Sequence, residues 1–264
     1  TGGYSTHDAS FSYFDSPAID TVAIVFMLMG GISFSVHFVA WRTLRLQRYA
    51  RDTQTRMFLL IVLVLTVAVS AQLLHTGTAG SLLAALRIGA FEVVSVITST
   101  GFGVADFSVW PLDLPVLMIF MSFIGGCAGS SAGGIKVIRF VVLERQARAH
   151  IRRLIHPQSM CPIRIDGAVV RPSVIEGIWG YFTAYIAIFA AFMVLLMLDG
   201  MDQVTAFGAV ATCMNNLGPG LGEVAGNFAS VSDGGKALLV LAMLFGRLEI
   251  FTLLVLLTPG FWRS

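Results

Sequence analysis

Three short stretches of the chain repeat one arrangement of residue types. Gly3-Tyr4 is followed by Asp8, Gly101-Phe102 by Asp106 and Gly218-Pro219 by Glu223, so a carboxylate stands five positions after a glycine each time. The first two glycines are 98 positions apart and the next two 117. Each stretch is polar and lies just before a long apolar segment. Glycine reaches backbone conformations closed to other residues, which allows peptide carbonyls to turn toward a common axis. The chemistry on offer is coordination of a dehydrated cation by main-chain oxygen. One glycine turn would be weak evidence, but three in equivalent positions make an internal repeat. Covalent chemistry finds little support. Ser130 and Ser131 have no histidine at matching depth on a recognisable motif for nucleophilic catalysis. His7, His37, His75, His150 and His156 are scattered, without metal-site spacing. Cys127, Cys161 and Cys213 lie far apart and read as inert thiols rather than a disulfide or zinc framework. No enzyme is expected.

The elements that must hold these stretches are membrane segments. Of 264 residues, 56% are hydrophobic and 12% charged, against roughly a quarter charged in a soluble domain. Several apolar runs approach or exceed the ~20 residues a bilayer requires. We expect spans at about 18–41, 57–74, 173–198 and 234–258, with a long apolar stretch at 111–142. Two shorter pieces, 81–98 and 203–215, are expected to re-enter the membrane; the first is too polar for an ordinary lipid-facing span. Non-helical chain at membrane depth must be buried in protein or line a watery cavity.

Charge sets the orientation. Arg42, Arg45, Arg48, Arg51 and Arg56 cluster in one loop, and Lys136, Arg139, Arg145, Arg148, Arg152, Arg153, Arg164 and Arg171 in another. Together they hold thirteen of the seventeen Lys and Arg, whereas the motif-bearing segments carry mostly acids. The positive-inside rule places the basic loops in the cytoplasm and the motifs outside. The expected division is 1–41, a motif and the membrane helix after it; 42–56, a cytoplasmic loop; 57–142, a complete unit; 143–172, a second cytoplasmic loop; and 173–264, another complete unit. Because the chain opens inside its first motif, an upstream portion is expected outside this numbering.

Each unit thus reads as membrane helix, re-entrant helix, outward glycine-bearing strand, membrane helix. This unit resembles the pore repeat of the Trk/Ktr/HKT potassium transporters. The ending, Gly246-Arg247-Leu248-Glu249 through Thr258-Pro259-Gly260-Phe261-Trp262-Arg263, is similar to that of the bacterial members. The resemblance implies an all-α polytopic fold of tandem parallel repeats around a pseudo-fourfold, potassium-channel-like pore. This chain would supply the end of the second repeat with the third and fourth. It further implies potassium uptake across the bacterial cytoplasmic membrane, K+ as the transported ion without an organic cofactor, a homodimer, and a cytosolic nucleotide-binding ring of the TrkA kind. Membrane lipid is the other expected contact; nucleic acid is not one. Ion contacts would fall at Gly2, Gly3 and Tyr4, at Thr98, Ser99, Thr100, Gly101 and Phe102, and at Asn215, Asn216, Leu217, Gly218 and Pro219. Proline in the last strand stiffens it and removes an amide donor.

Gly125, Gly126, Gly129, Ser130, Ser131, Gly133, Gly134 and Lys136 interrupt what should be a continuous span. Two readings stand: close helix packing through small residues, or a non-helical gating loop in the pore, which the resemblance supports within 125–136. Arg247 lies about midway along the final span, roughly 20 Å from its start, where a charge costs at least ~2.5 kcal/mol. It either pairs with a distant glutamate such as Glu92 or projects beneath the filter, held by carbonyls of the glycine-rich loop. Glu249, two positions on, cannot share its helix face. Gly30-Gly31 either kinks its helix or packs closely. The length of the second basic loop exceeds what topology needs and suggests a regulatory partner. The chief rival to a pore is a secondary transporter with broken helices. It would call for inverted repeats, whereas these all face the same way.

Overall fold

The computed structural model describes residues 2–111, 113–256 and 258–263. Thr1, Leu112, Leu257 and Ser264, which fall within the expected segments, lie outside the described residues. Among the described residues, two helices are long and apolar enough to cross a membrane: α4 (Thr53–His75) and α8 (Pro172–Leu198). Asp52 starts α4 by accepting the Thr55 amide at 2.7 Å, and Pro172 starts α8 at a position where no amide is needed. At 1.5 Å per residue both exceed the roughly 30 Å hydrocarbon core.

The expected span at 18–41 is instead two helices, α1 (Pro17–Gly31) and α2 (Phe34–Thr43), bent by 100°; the short α3 (Gln47–Arg51) follows. Gly30-Gly31 does both things considered for it. The helix ends there, and a Cβ on Gly31 would stand 2.7 Å from Phe58 and 2.9 Å from Thr98. The pore-helix segments appear as α5 (Leu82–Ile97) and α9 (Gln203–Asn215). At about 24 and 20 Å they are too short to span. The long apolar stretch splits into α6 (Leu114–Ile124) and α7 (Val137–Ile155) around the glycine-rich segment.

The second basic stretch is not bare loop. Helix α7 runs far into it, and an antiparallel hairpin, β1 (Arg164–Ile165) with β2 (Ala168–Val169), follows. Its turn residues Asp166 and Gly167 both have positive φ, +49° and +84°, the requirement of a tight two-residue hairpin. The last expected span also breaks. Helix α10 (Asp233–Arg247) and α11 (Ile250–Leu256) meet at 111°, with Glu249 between them at φ +58°.

These breaks share a level. Gly31 stands 28 positions after Gly3, Gly246 stands 28 after Gly218, and Gly125 stands 24 after Gly101. All three helices that follow a motif are therefore interrupted at nearly one distance from it.

Packing follows the repeat. One apolar core gathers α1, α4, α5 and α6, and a second gathers α8, α9 and α10. Helices α6 and α9 join the two. Both pore helices are buried over much of their length. The chain is thus a polytopic, mostly helical membrane protein of tandem helix–pore helix–glycine stretch–helix units.

The α4–α5 contact is close because position 89 is glycine: a Cβ there would lie 2.5 Å from the hydroxyl of buried Ser70. Gly89→Val is expected to lower stability by about 1–3 kcal/mol through overpacking, read as the thermal midpoint in detergent. A variant as stable as the parent would refute so close a contact.

Candidate ion-coordinating site and intramembrane loop

The site begins where the pore helices stop. Asp202 caps α9 by accepting the amides of Val204 at 2.9 Å and Thr205 at 3.2 Å. Hydrogen bonding by Thr205 draws this carboxyl below its ordinary range, so the cap's contribution is present at neutral pH and lost as pH falls through the folded value. At the other end of each helix the backbone alternates in hand. After α5, Thr98 has φ −81°, Ser99 φ +51° and Gly101 φ +79°. After α9, Asn216 has φ +54° and Gly218 φ +107°. The left-handed residues keep the 117-residue repeat spacing. Such alternation turns successive peptide planes the same way, so their carbonyls fall in a row.

The amides of this row are tied back to the pore helices. Thr100 N donates to Ser95 O at 2.8 Å and Leu217 N to Thr212 O at 2.9 Å; Gly218 N donates to Thr212 Oγ1 at 2.8 Å. The hydroxyls of Thr98 and Thr100 share a 2.7 Å hydrogen bond. Among the described residues, the carbonyls of Thr98 to Gly101 and of Asn215 to Gly218 accept none. Thr98, Ser99, Thr100, Asn215 and Leu217 are buried, Gly101 and Asn216 half-buried, and Gly218 exposed. Peptide oxygen shielded from water is ordinarily paired, so a row without partners is a candidate for coordinating a ligand.

The three motifs meet. A Cβ on Gly3 would stand 2.5 Å from the Thr100 carbonyl oxygen, and one on Gly101 would overlap the Leu217 carbonyl and lie 3.5 Å from Pro219 Cδ. Gly218 faces open space. On one side of the strands a hollow of about 710 Å³ is lined by Gly3, Gly101 and Gly218 with Asp8 and Asp106. Another of about 570 Å³ is lined by Gly2, Ser99, Asn216, Leu217 and Arg247. Not every predicted residue turns a side chain or an open carbonyl into the site. The Tyr4 side chain is 94% exposed. The Phe102 carbonyl accepts the Ser95 hydroxyl at 2.6 Å. The Asn215 side chain is bound by Tyr185 Oη at 2.8 Å and donates to Ser122 Oγ at 2.7 Å.

Glu92 holds the central strand. Its carboxylate is 2% exposed and Oε1 accepts the amides of Val104 at 2.7 Å and Ala105 at 3.0 Å. This replaces its expected alternative role as partner of Arg247. Its spacing on α5 held no hint of the strand it braces.

Beneath the strands lies the glycine-rich segment. Helix α6 ends at Ile124 and α7 starts at Val137, so the segment between is not helical, although small residues do pack tightly within it. Gly125, Gly129 and Gly134 have φ near +70°, and Lys136 has φ +81°. A Cβ on Gly133 would overlap the Asn215 carbonyl and lie 3.1 Å from Ser99 Oγ. One wall is the α1 break: Cys127 N donates to Gly31 O at 2.9 Å and Ser131 N to Gly30 O at 3.1 Å. Ser130 Oγ turns back to the Cys127 carbonyl at 2.7 Å. Gln54 accepts the Ala128 amide at 3.0 Å. Lys136 Nζ donates to the Ala132 carbonyl, and a Cβ on Gly126 would stand 2.7 Å from Gly31 O. Arg247 Nη1 donates to Ser131 O at 3.1 Å. Glu249 turns away to meet Arg139 at 2.8 Å.

Comparison with known proteins gives one answer. Residues 1–262 match the family model TrkH, described as a cation transport protein. The chain is 45% identical over 263 residues to the Trk system potassium uptake protein TrkH of Halomonas elongata, covering 100% of this chain and 54% of the relative. It is 43% identical over 263 residues to the Escherichia coli K12 protein of that name, with the same coverage. A crystal structure of the potassium transporter TrkH from Vibrio parahaemolyticus matches with TM-score 0.94 and 46% identity, covering 99% of this chain and 56% of that one. The chain spans about half the length of the curated relatives it matches.

Removing the Glu92 carboxylate leaves the half-buried amides of Val104 and Ala105 unpaired. Glu92→Ala should therefore destabilise the fold by about 1–3 kcal/mol, measured by thermal or denaturant unfolding in detergent. An unchanged midpoint would show that the strand does not rely on it.

Proposed function

We infer what this chain does from the premise that it belongs to the TrkH family of cation transport proteins. It forms part of a pore for potassium uptake across the bacterial cytoplasmic membrane, with its basic loops in the cytoplasm. The observation that carries this reading is the convergence of three glycine-bearing stretches whose carbonyls in the two complete motifs accept no hydrogen bond among the described residues. Carbonyl oxygens of this kind replace an ion's hydration shell. The C-terminal ends of α5 and α9 add about half a negative charge each beside the strands, which favours a cation. Potassium is the ion because the relatives are named for its uptake, and the pore acts by coordination, with no covalent step.

The glycine-rich segment 125–136 is the gate. It sits directly under the strands, and glycine's conformational range lets it move. Arg247, hydrogen-bonded to that segment, places a positive charge in the hollow beneath the strands and repels cations until the segment shifts. The functional assembly is a homodimer regulated by a cytosolic nucleotide-binding ring, a partner suggested by the length of the second basic stretch, 136–171. Discontinuous helices by themselves would also suit a secondary transporter; the like-oriented repeats and carbonyl rows favour the pore.

Two substitutions in the full-length protein, reconstituted in liposomes, test this reading through rubidium flux. Arg247→Ala should raise flux in the absence of any regulator; a well-folded variant with unchanged flux would contradict its role in the gate. Gly101→Ala sets a side chain at φ +79° against the Leu217 carbonyl and should cut flux at least about tenfold, the effect of some 1.4 kcal/mol on the barrier. Full flux with intact rubidium-over-sodium preference would show that this strand does not coordinate the ion.

A further inference from the structure

The cytoplasmic end of α7 carries a second feature that ion conduction does not use. A hollow of about 380 Å³ is lined by Arg145, Arg148 and Arg152 of α7 and by Arg164 of β1. The three helix positions are spaced three and four apart, so they share a face. The only carboxylate paired to this group among the described residues is Glu144, which bridges Arg148. Arg145 donates to the Arg164 carbonyl, which ties helix and hairpin into one wall. The arginines therefore carry a net positive charge that their own neighbours do not neutralise. Guanidinium groups suit phosphoryl oxygens through paired donors.

A larger hollow, about 1080 Å³, adjoins it across Ala149 and Cys161–Ile163, which line both. Its walls are chiefly apolar: Phe140 and Leu143 of α7, Val169 and Val170 of the hairpin, Ile175 and Trp179 of α8. Glu176 is the acid on that side besides Glu144. This groove runs from the level of the α7 start toward the arginines. Trp179, whose indole donates to Gln146 at 2.8 Å, is a residue type that favours the membrane–water boundary. Ile151, Leu154, Ile155 and Met160 are exposed next to the charged group. Cations beside a greasy channel at this depth match a molecule with a phosphoryl head and an acyl tail. An acidic protein segment would satisfy the arginines but leave the channel and these side chains without a partner.

We propose that the arginine hollow and its adjoining groove bind an anionic phospholipid of the cytoplasmic leaflet, the phosphoryl group on Arg145, Arg148, Arg152 and Arg164 and a chain along the groove. The site requires the membrane placement given above but not the pore reading, and it can be tested without measuring ion flux. Full-length protein in detergent is titrated with phosphatidylglycerol or phosphatidylcholine, and bound lipid is counted by native mass spectrometry. The parent should retain phosphatidylglycerol preferentially. Each Arg→Gln change among Arg145, Arg148 and Arg152 should weaken that preference about fivefold, while Arg42→Gln with Arg45→Gln, on the other basic loop, leaves it intact. Size-exclusion and thermal profiles of the variants establish folding, and Arg148→Lys, which keeps the charge but not the paired donors, should lose less of the preference than Arg148→Gln. Equal retention of both lipids by the parent would overturn the site. So would a folded triple variant that keeps its preference, or displacement of the lipid by millimolar inorganic phosphate or an acidic peptide.

Discussion

Peptide oxygens in this protein lie where the side chain of a neighbouring strand would otherwise stand. The Thr100 carbonyl occupies the place of a Cβ on Gly3, and the Leu217 carbonyl that of a Cβ on Gly101. Glycine at these positions is thus a packing requirement as well as a conformational one. Much else can be understood as supporting that contact. The pore helices accept the strand amides at Ser95 and Thr212, Glu92 fixes the chain beyond the central strand, and Tyr185, Asn215 and Ser122 lock the end of α9 to α8 and α6.

The same constraint reaches the intramembrane segment. Gly133 is pressed against Asn215, and Gly126 against Gly31, so the segment is held between a pore-helix end and a broken membrane helix. Its hydrogen bonds go to α1, to Gln54 and to the flanking ends of α6 and α7. Chain outside regular structure at this depth needs such partners, because lipid offers none. Arg247 belongs to the set as a donor to the Ser131 carbonyl.

What the sequence disclosed depended on the range over which each feature is specified. Helix α9 occupies the predicted 203–215, and α5 falls one residue inside each end of 81–98, because caps and polar–apolar changes are local. Gly30-Gly31 signals the break at Ile32-Ser33 only as a possible kink, and nothing local marks the break at Leu248-Glu249. Both runs are apolar enough to look continuous, and Glu249 is no glycine despite its φ of +58°. The hidden signal was the recurrence of a glycine 28 positions after Gly3 and Gly218. The duties of Glu92 and Asn215 were illegible for another reason: their partners are 12–13 residues away around a reversal of the chain, or on other helices. The hairpin at 164–169 is obscured by the surrounding arginines, although Asp166-Gly167 is a two-residue turn signal.

The most direct test is to locate the ion. Crystals of the full-length protein grown or soaked with rubidium or thallium would be examined by anomalous diffraction. Density is expected on the axis between the strands, within coordination distance of carbonyl oxygens from Thr98–Gly101 and Asn215–Gly218. Density confined to side-chain carboxylates such as Asp8 and Asp106, with nothing against those carbonyls, would contradict coordination by main-chain oxygen.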